Sequence, residues 1–379
     1  MTRFLFSATS RIAVILMLVG FASVSFANGP APSIITFDVP NATVTYPTGI
    51  NSAGQITGYY QDATSTHGFV RDRKGAVVAF DPPGSNYTFP TSITSEGQIT
   101  GYYANLNATS PPIVYHGFLR KPDGTMLSFD APAALPSPLP LYYQGIFPAA
   151  VNSAGQITGY YVDPAGLQYG FLREPDGTIT PITDDPSDPG HPGFCGIQPC
   201  GAFLSPKAIS ANGGITGFYS LSIGIDEYRY GFERQRNGNI VRFTASPNPI
   251  VRKDEQTFPY FINPEAQITG SISSPGGIRI HGFLRDRDGT FTTFDADPGN
   301  VLWTFPTAIN SAAQIIGYYA GSTNCCAYHG FLRQRNGTMV TFDVANATNT
   351  SPTAMNPAGQ VTGWYSDASG IVHGFVRTH

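Results

Sequence analysis

The feature that most constrains this chain is a repeat. Residues 50–60 read Ile-Asn-Ser-Ala-Gly-Gln-Ile-Thr-Gly-Tyr-Tyr, and near-copies begin at Ile93, Val151, Ile209, Ile262, Ile309 and Met355. The shared glycines, from Gly58 and Gly101 to Gly363, lie 43 to 58 residues apart. A period of that length means one small supersecondary unit, stacked so that each copy buries its apolar face on the next. A second motif follows each copy, first as His67-Gly68-Phe69-Val70-Arg71. Its Gly-Phe returns at Phe118, Phe171, Phe232, Phe283, Phe331 and Phe375, and its Arg two residues later every time. Then comes a hairpin signal such as Asp123-Gly124 or Asn237-Gly238, where glycine accepts positive φ. A short apolar run ends in Phe-Asp, as at Phe80-Asp81, and a proline recurs ahead of each copy, as at Pro47 and Pro90.

Each unit thus predicts four short strands, near 46–51, 54–60, 66–72 and 76–81 in the first. The proline is expected at the start of the first strand, where a missing N–H is tolerated. The mid-strand glycines are expected to let neighbouring units approach closely. Seven four-stranded units predict an all-β, seven-bladed β-propeller. The chain ends decide between a ring and an open solenoid. The mature chain begins with a lone fourth strand, Ile34-Ile35-Thr36-Phe37-Asp38, and stops on a third strand, His373 to Arg377. Pairing the two ends completes the last blade and closes the ring, whereas a solenoid leaves raw edges.

Residues 1–27 read as a signal peptide: Arg3 and Arg11, an apolar run from Ile12 to Val24, then Ser25-Phe26-Ala27. The alternative is an uncleaved anchor. Residues 28–379 then form one domain, secreted or periplasmic in a bacterium, with no later membrane span. Cleavage removes two Arg and no acid, leaving 19 − 25 = −6. With no basic excess, nucleic acid is not an expected partner. Four cysteines in an exported chain suggest disulfides: Cys195 and Cys200 share one connection, while Cys325 and Cys326 are adjacent and their state stays open.

The Ile-Asn-x-x-Gly-Gln-Ile-Thr-Gly-Tyr unit followed by His-Gly-Phe resembles the bacterial extracellular repeat proteins of the HAF type, named for a His-Ala-Phe motif in which Gly replaces Ala here. The resemblance covers roughly residues 34–379 and implies a secreted repeat protein. It carries no catalytic residues.

A histidine repeated around a ring invites a metal or catalytic reading, but its partners argue for structure. His67, His116, His281, His329 and His373 go with Asp81, Asp130, Asp295, Asp343 and, from the N-terminus, Asp38. Where Tyr169 and Tyr230 replace His, Thr183 and Thr244 replace Asp. Folding the hairpin sets position 67 opposite 81, so a cross-strand hydrogen bond is expected in each unit. Five such pairs on separate blades are too dispersed for one metal centre, and neither a metal nor another cofactor is expected. The repeated Arg are expected to be solvated or locally paired, and the Tyr and Phe to pack between blades.

Function is expected on the face carrying the connections after second and fourth strands, which vary from unit to unit. The long ones, 131–146, 184–204, 220–229 and 245–257, fall in consecutive units. Tyr142, Tyr143, His191, Phe194, Asp226, Glu227, Arg229 and Arg252 are the candidate binding residues there, on an acid- and aromatic-rich rim. No nucleophile elbow, phosphate loop or H-E-x-x-H is present. The reading is a monomeric, non-catalytic binding or scaffold propeller for a carbohydrate or protein. The alternative is an extracellular lyase or hydrolase, acting on a polysaccharide or small ester, with His191 as base and Asp184, Asp185 or Asp188 as supporting acids.

Overall fold

The computed structural model describes residues 32–107, 113–132, 143–163, 168–182, 203–223, 226–245, 255–273, 278–297, 299, 301–321 and 327–378, with backbone alone at 143, 221–223, 226–227 and 301. Among these residues there are 28 strands and no helix. Hydrogen bonds join them into four sheets of 4, 12, 4 and 8 strands, within which the strands pair antiparallel in units of four; short parallel pairings at Thr66↔Tyr87, Ile113↔Tyr143 and Ile280↔Trp303 link neighbouring units. In the first unit the strands are Val44–Ile50, Ile56–Gln61, Thr66–Arg71 and Val77–Phe80. In the last unit the fourth place is taken by Ser33–Phe37, which pairs antiparallel with Val372–Thr378 from Ser33↔Thr378 to Phe37↔Gly374.

The first strand is the edge of each unit, and consecutive first strands lie against one another. Asn349–Met355 of the last unit is in contact with Val44–Ile50 of the first. Two belts of hydrogen bonds follow this order. Thr48, Thr91 and Thr307 donate to the carbonyls of Pro90, Pro148 and Pro352 in the next unit, at 2.9, 3.1 and 2.9 Å. Thr353 then donates to Pro47 in the first unit, at 2.9 Å. Asn51, Asn152 and Asn263 likewise reach a backbone carbonyl of the following unit, and Asn356 reaches that of Asn51.

The proline sits in the middle of the first strand, not at its start. Pro47 faces Gly58, and the register shifts between Pro47 and Gly49, so Thr48 is the extra residue of a bulge. A bulge re-aims one side chain, and that is how Thr48 reaches across to the next unit. Proline suits the position because an edge strand leaves its N–H without a partner.

Most of the repeated glycines serve contacts inside a unit, while a Cβ on Gly170 would lie 2.9 Å from Pro206 of the next unit, so that glycine does let neighbouring units approach closely. A Cβ on Gly58 would lie 2.1 Å from the Tyr46 carbonyl oxygen, and one on Gly68 2.6 Å from the Phe80 ring. The Gly68 case explains why this chain has His-Gly-Phe: alanine would strike the aromatic ring of the fourth strand. The phenylalanine beside that glycine is the centre of each unit's core, and Phe69, Phe118, Phe171, Phe232, Phe283, Phe331 and Phe375 are all buried.

Five of the seven repeated arginines are not solvated. Arg120, Arg173, Arg285, Arg333 and Arg377 are buried. Each stacks on the fourth-strand phenylalanine of the preceding unit, as Arg120 does on Phe80 at 5.0 Å and Arg377 on Phe342 at 4.9 Å. Cation–π attraction offsets part of the desolvation cost. Arg71 and Arg234 are only half-buried: Arg71 still stacks on Phe37 at 4.7 Å, whereas the unit before Arg234 ends on Ile182 instead of phenylalanine.

Candidate functional site

The cross-strand register sets each His opposite its Asp, since Gly68 pairs with Phe80. His67 Nδ1 lies 2.6 Å from Asp81, His281 and His329 each 2.8 Å from Asp295 and Asp343, and His373 2.9 Å from Asp38. His116 is hydrogen-bonded to Asp130 in the same way. Asp81 also accepts from Thr88, a buried residue of the next unit's first strand, so this pair ties three strands together. Each His except His281 stacks on a second-strand tyrosine, as His67 does on Tyr60 at 5.1 Å. Tyr169 and Tyr230 keep that stack, on Tyr161 and Tyr219. Thr244 hydrogen-bonds with Thr257 at 3.3 Å, while Thr183 lies outside the described residues.

His67 is held between two carboxylates, with Asp62 3.2 Å from its Nε2. Burial disfavours its protonation, but the hydrogen bonds and charges of Asp81 and Asp62 prevail and raise its pKa above 6.5. Asp62 is pulled down to about 2, mainly by the backbone N–H groups of Thr64 and Ser65. Among the described residues no cluster of three metal-ligating side chains occurs.

Most loop candidates lie outside the described residues: Tyr142, Asp184, Asp185, Asp188, His191, Phe194, Cys195, Cys200 and Arg252, with Cys325 and Cys326. Segment 220–229 is largely a hairpin extension, because the strands Ile215–Ile223 and Asp226–Arg234 pair out to Ile223↔Asp226. Of its candidates only Arg229 is described with its side chain. That side chain points inward: its guanidinium stacks on Phe218 at 5.8 Å and Phe258 at 5.3 Å, and its Nε donates to Ser220 at 3.3 Å.

Next to Arg229 is a site the loop argument missed. The residue after each repeated proline reads Thr48, Thr91, Ala149, Lys207, Tyr260, Thr307 and Thr353. The hydroxyl belt is therefore interrupted at three consecutive units, the third to the fifth. A cavity of about 410 Å3 runs from this break into the sixth and seventh units, lined by Lys207, Tyr260, Phe261, Phe305, Pro306 and Tyr318 together with Thr307 and Thr353. The Lys207 ammonium lies 5.1 Å from the Phe218 ring centre and 5.8 Å from that of Tyr160. Burial, reinforced by the Arg229 charge, lowers its pKa. Burial raises that of Tyr260, whose phenol oxygen accepts from Ser271 at 3.3 Å. The signal was present in the sequence as a broken Thr column.

No protein-family profile and no curated protein sequence matches the chain. Solved structures do. Virginiamycin B lyase from Staphylococcus aureus superposes with a TM-score of 0.54 at 12% identity, covering 92% of this chain and 100% of its own. The β-propeller domain of the trilobed protease from Pyrococcus furiosus gives 0.55 at 8% identity, over 89% and 94%. The fold is that of a β-propeller. An acylaminoacyl peptidase from Pyrococcus horikoshii, of which this chain covers 52%, gives 0.52 at 7% identity over 89% of this chain. At these identities the likeness speaks for the propeller alone.

Proposed function

We propose that this is an exported, monomeric, non-catalytic binding propeller. Its seven blades close into a ring through the N-terminal strand, and its ligand is a carbohydrate or a protein. Closure is supported by the Ser33–Phe37 ladder on Val372–Thr378 and by the Thr353 and Asn356 bonds into the first unit. Export is supported by the leader pattern of residues 1–27. No helix among the described residues is long and apolar enough to cross a membrane.

One observation carries the binding reading: departures from the repeat gather in one sector. Its inner belt is interrupted at Ala149, Lys207 and Tyr260, and the long connections 131–146, 184–204, 220–229 and 245–257 belong to the same part of the chain. Elsewhere the chemically capable side chains are used in the scaffold, the His in carboxylate pairs and most Arg on neighbouring rings. Irregularity confined to one sector of a regular ring marks where selection acted on something other than folding. The mature chain on a glycan array, and as bait for envelope proteins, tests this. Specific capture that weakens when 184–202 is shortened to a tight turn is the expected result. Capture of nothing, or turnover of a polysaccharide or cyclic ester that is lost in His191→Ala, overturns it.

A further inference from the structure

The cavity between the first strands of units four to seven has a composition that a structural role does not explain. Thr at the position of Lys207 would donate to the next proline carbonyl, as four units do. Lysine gives up that bond and takes its charge partly out of water. Among the described residues no carboxylate lines the cavity, and Lys207 has aromatic faces and the Arg229 charge beside it. A half-buried charge with no carboxylate beside it among the described residues loses part of its hydration at a cost. Cation–π contacts recover part of that cost, but the Thr solution carries none of it. Ser205 adds to the case. It faces Phe218 across the strands, where four of the other units have an aromatic facing an aromatic, as at Tyr46↔Tyr59 and Phe305↔Tyr318. The small side chain leaves Phe218 open to the lysine.

We propose that this cavity binds a small organic carboxylate, with Lys207 as its charged anchor and the Tyr260 hydroxyl as a second donor. The Tyr260 oxygen already accepts from Ser271, which leaves its own proton for a ligand. The rest of the lining is Phe261, Phe305, Pro306 and Tyr318, flat and largely apolar, with Thr307 and Thr353, whose hydroxyl protons are used in the belt. It suits an aromatic acid or the C–H face of a sugar acid, with one cation and one hydroxyl meeting a single carboxylate. A volume of about 410 Å3 is in the range of small-molecule sites. The proposal rests on the cavity alone. An empty glycan array leaves it standing, and its own failure leaves the loop-face reading standing.

Isothermal titration of the mature protein with benzoate and D-galacturonate, against benzyl alcohol and galactose as neutral counterparts, reads it out. Each acid is expected to bind about tenfold or more tightly than its neutral counterpart. Lys207→Met is expected to abolish that preference, while Lys74→Met, at an exposed position, keeps it. Lys207→Thr provides the folding control. It restores the belt, so its melting temperature is expected to equal or exceed that of the parent while acid binding is lost. No heat from either acid at about 10 mM, equal binding of acid and neutral compound, or an undiminished preference in Lys207→Met each overturns the proposal.

Discussion

Exposure grades the five His–Asp pairs, and that grading gives a quantitative test of their role. The His67 and Asp81 side chains are 22% and 30% exposed, against 36% and 67% for His116 and Asp130. His67 also has a second carboxylate on its other nitrogen, and Asp81 a second donor in buried Thr88. A hydrogen bond with a charged partner contributes about 1.5–3 kcal/mol when sheltered. Solvent at these partly exposed groups reduces it to about 1–2 kcal/mol for His67–Asp81 and below about 1 kcal/mol for His116–Asp130. The perturbation is a double-mutant cycle, His67→Tyr, Asp81→Thr and both together, using the combination found at Tyr230 and Thr244. Tyrosine should keep the stack on Tyr60, as Tyr230 does on Tyr219. Denaturant unfolding of the four proteins gives the coupling energy. A positive coupling at 67–81 that exceeds the one at 116–130 is expected. Coupling below about 0.3 kcal/mol at both sites, within the error of additivity, refutes the argument, and metal-dependent stability would bring back a metal role for these histidines.

Three further outcomes follow from single contacts. Because the His67 pKa is raised on folding, its contribution is full below the unfolded value of about 6.5 and fades as pH rises through the folded value; the His67→Tyr penalty in denaturant melts should be larger at about pH 6 than at about pH 9. Gly68→Ala and Gly117→Ala should each cost about 1–3 kcal/mol, since the new Cβ meets the Phe80 or Phe129 ring at 2.6 or 2.5 Å; unchanged unfolding midpoints would contradict that packing. Arg285 and Glu233 form a buried pair at 2.9 Å, so Arg285→Met, which strands the carboxylate, should cost about 3–5 kcal/mol. Glu233→Leu, the side chain found at the same register at Leu119, Leu172, Leu284 and Leu332, should cost far less in the same assay.

Much of this was legible in the sequence because the repeat prints the same local physics many times. Turn glycines and alternating apolar residues mark the strands, and the joint change of His with Asp exposes a cross-strand partner without any three-dimensional information. Contacts between units were less legible. Arg120 looks like a strand-end charge until the preceding unit's Phe80 is seen to cover it. Pro47 looks like a strand start, because the bulge at Thr48 disturbs the alternation by only one residue. The same bulge hid Lys207. In simple alternation it is one more edge residue, and only its re-aimed side chain puts it over Phe218 and into the cavity. The loop residues stood out because they are charged and off-register, a compositional cue that says nothing of where they point. Arg229, counted among them, lies against the inner rings.

In the proposed ring, residues 33–38 complete the last blade. Hydrogen–deuterium exchange of the segment 372–378, in the mature chain and in a variant lacking 33–38, tests it most directly. In the intact protein the amides of this strand that face Ser33–Phe37 are bonded in the ladder, and Asp38 holds His373. Slow exchange across 372–378 is expected in the intact protein. Deletion should lead to rapid exchange on the newly exposed edge, with a melting point a few degrees lower. Equal protection in the two proteins would mean that the N-terminal strand does not complete the last unit.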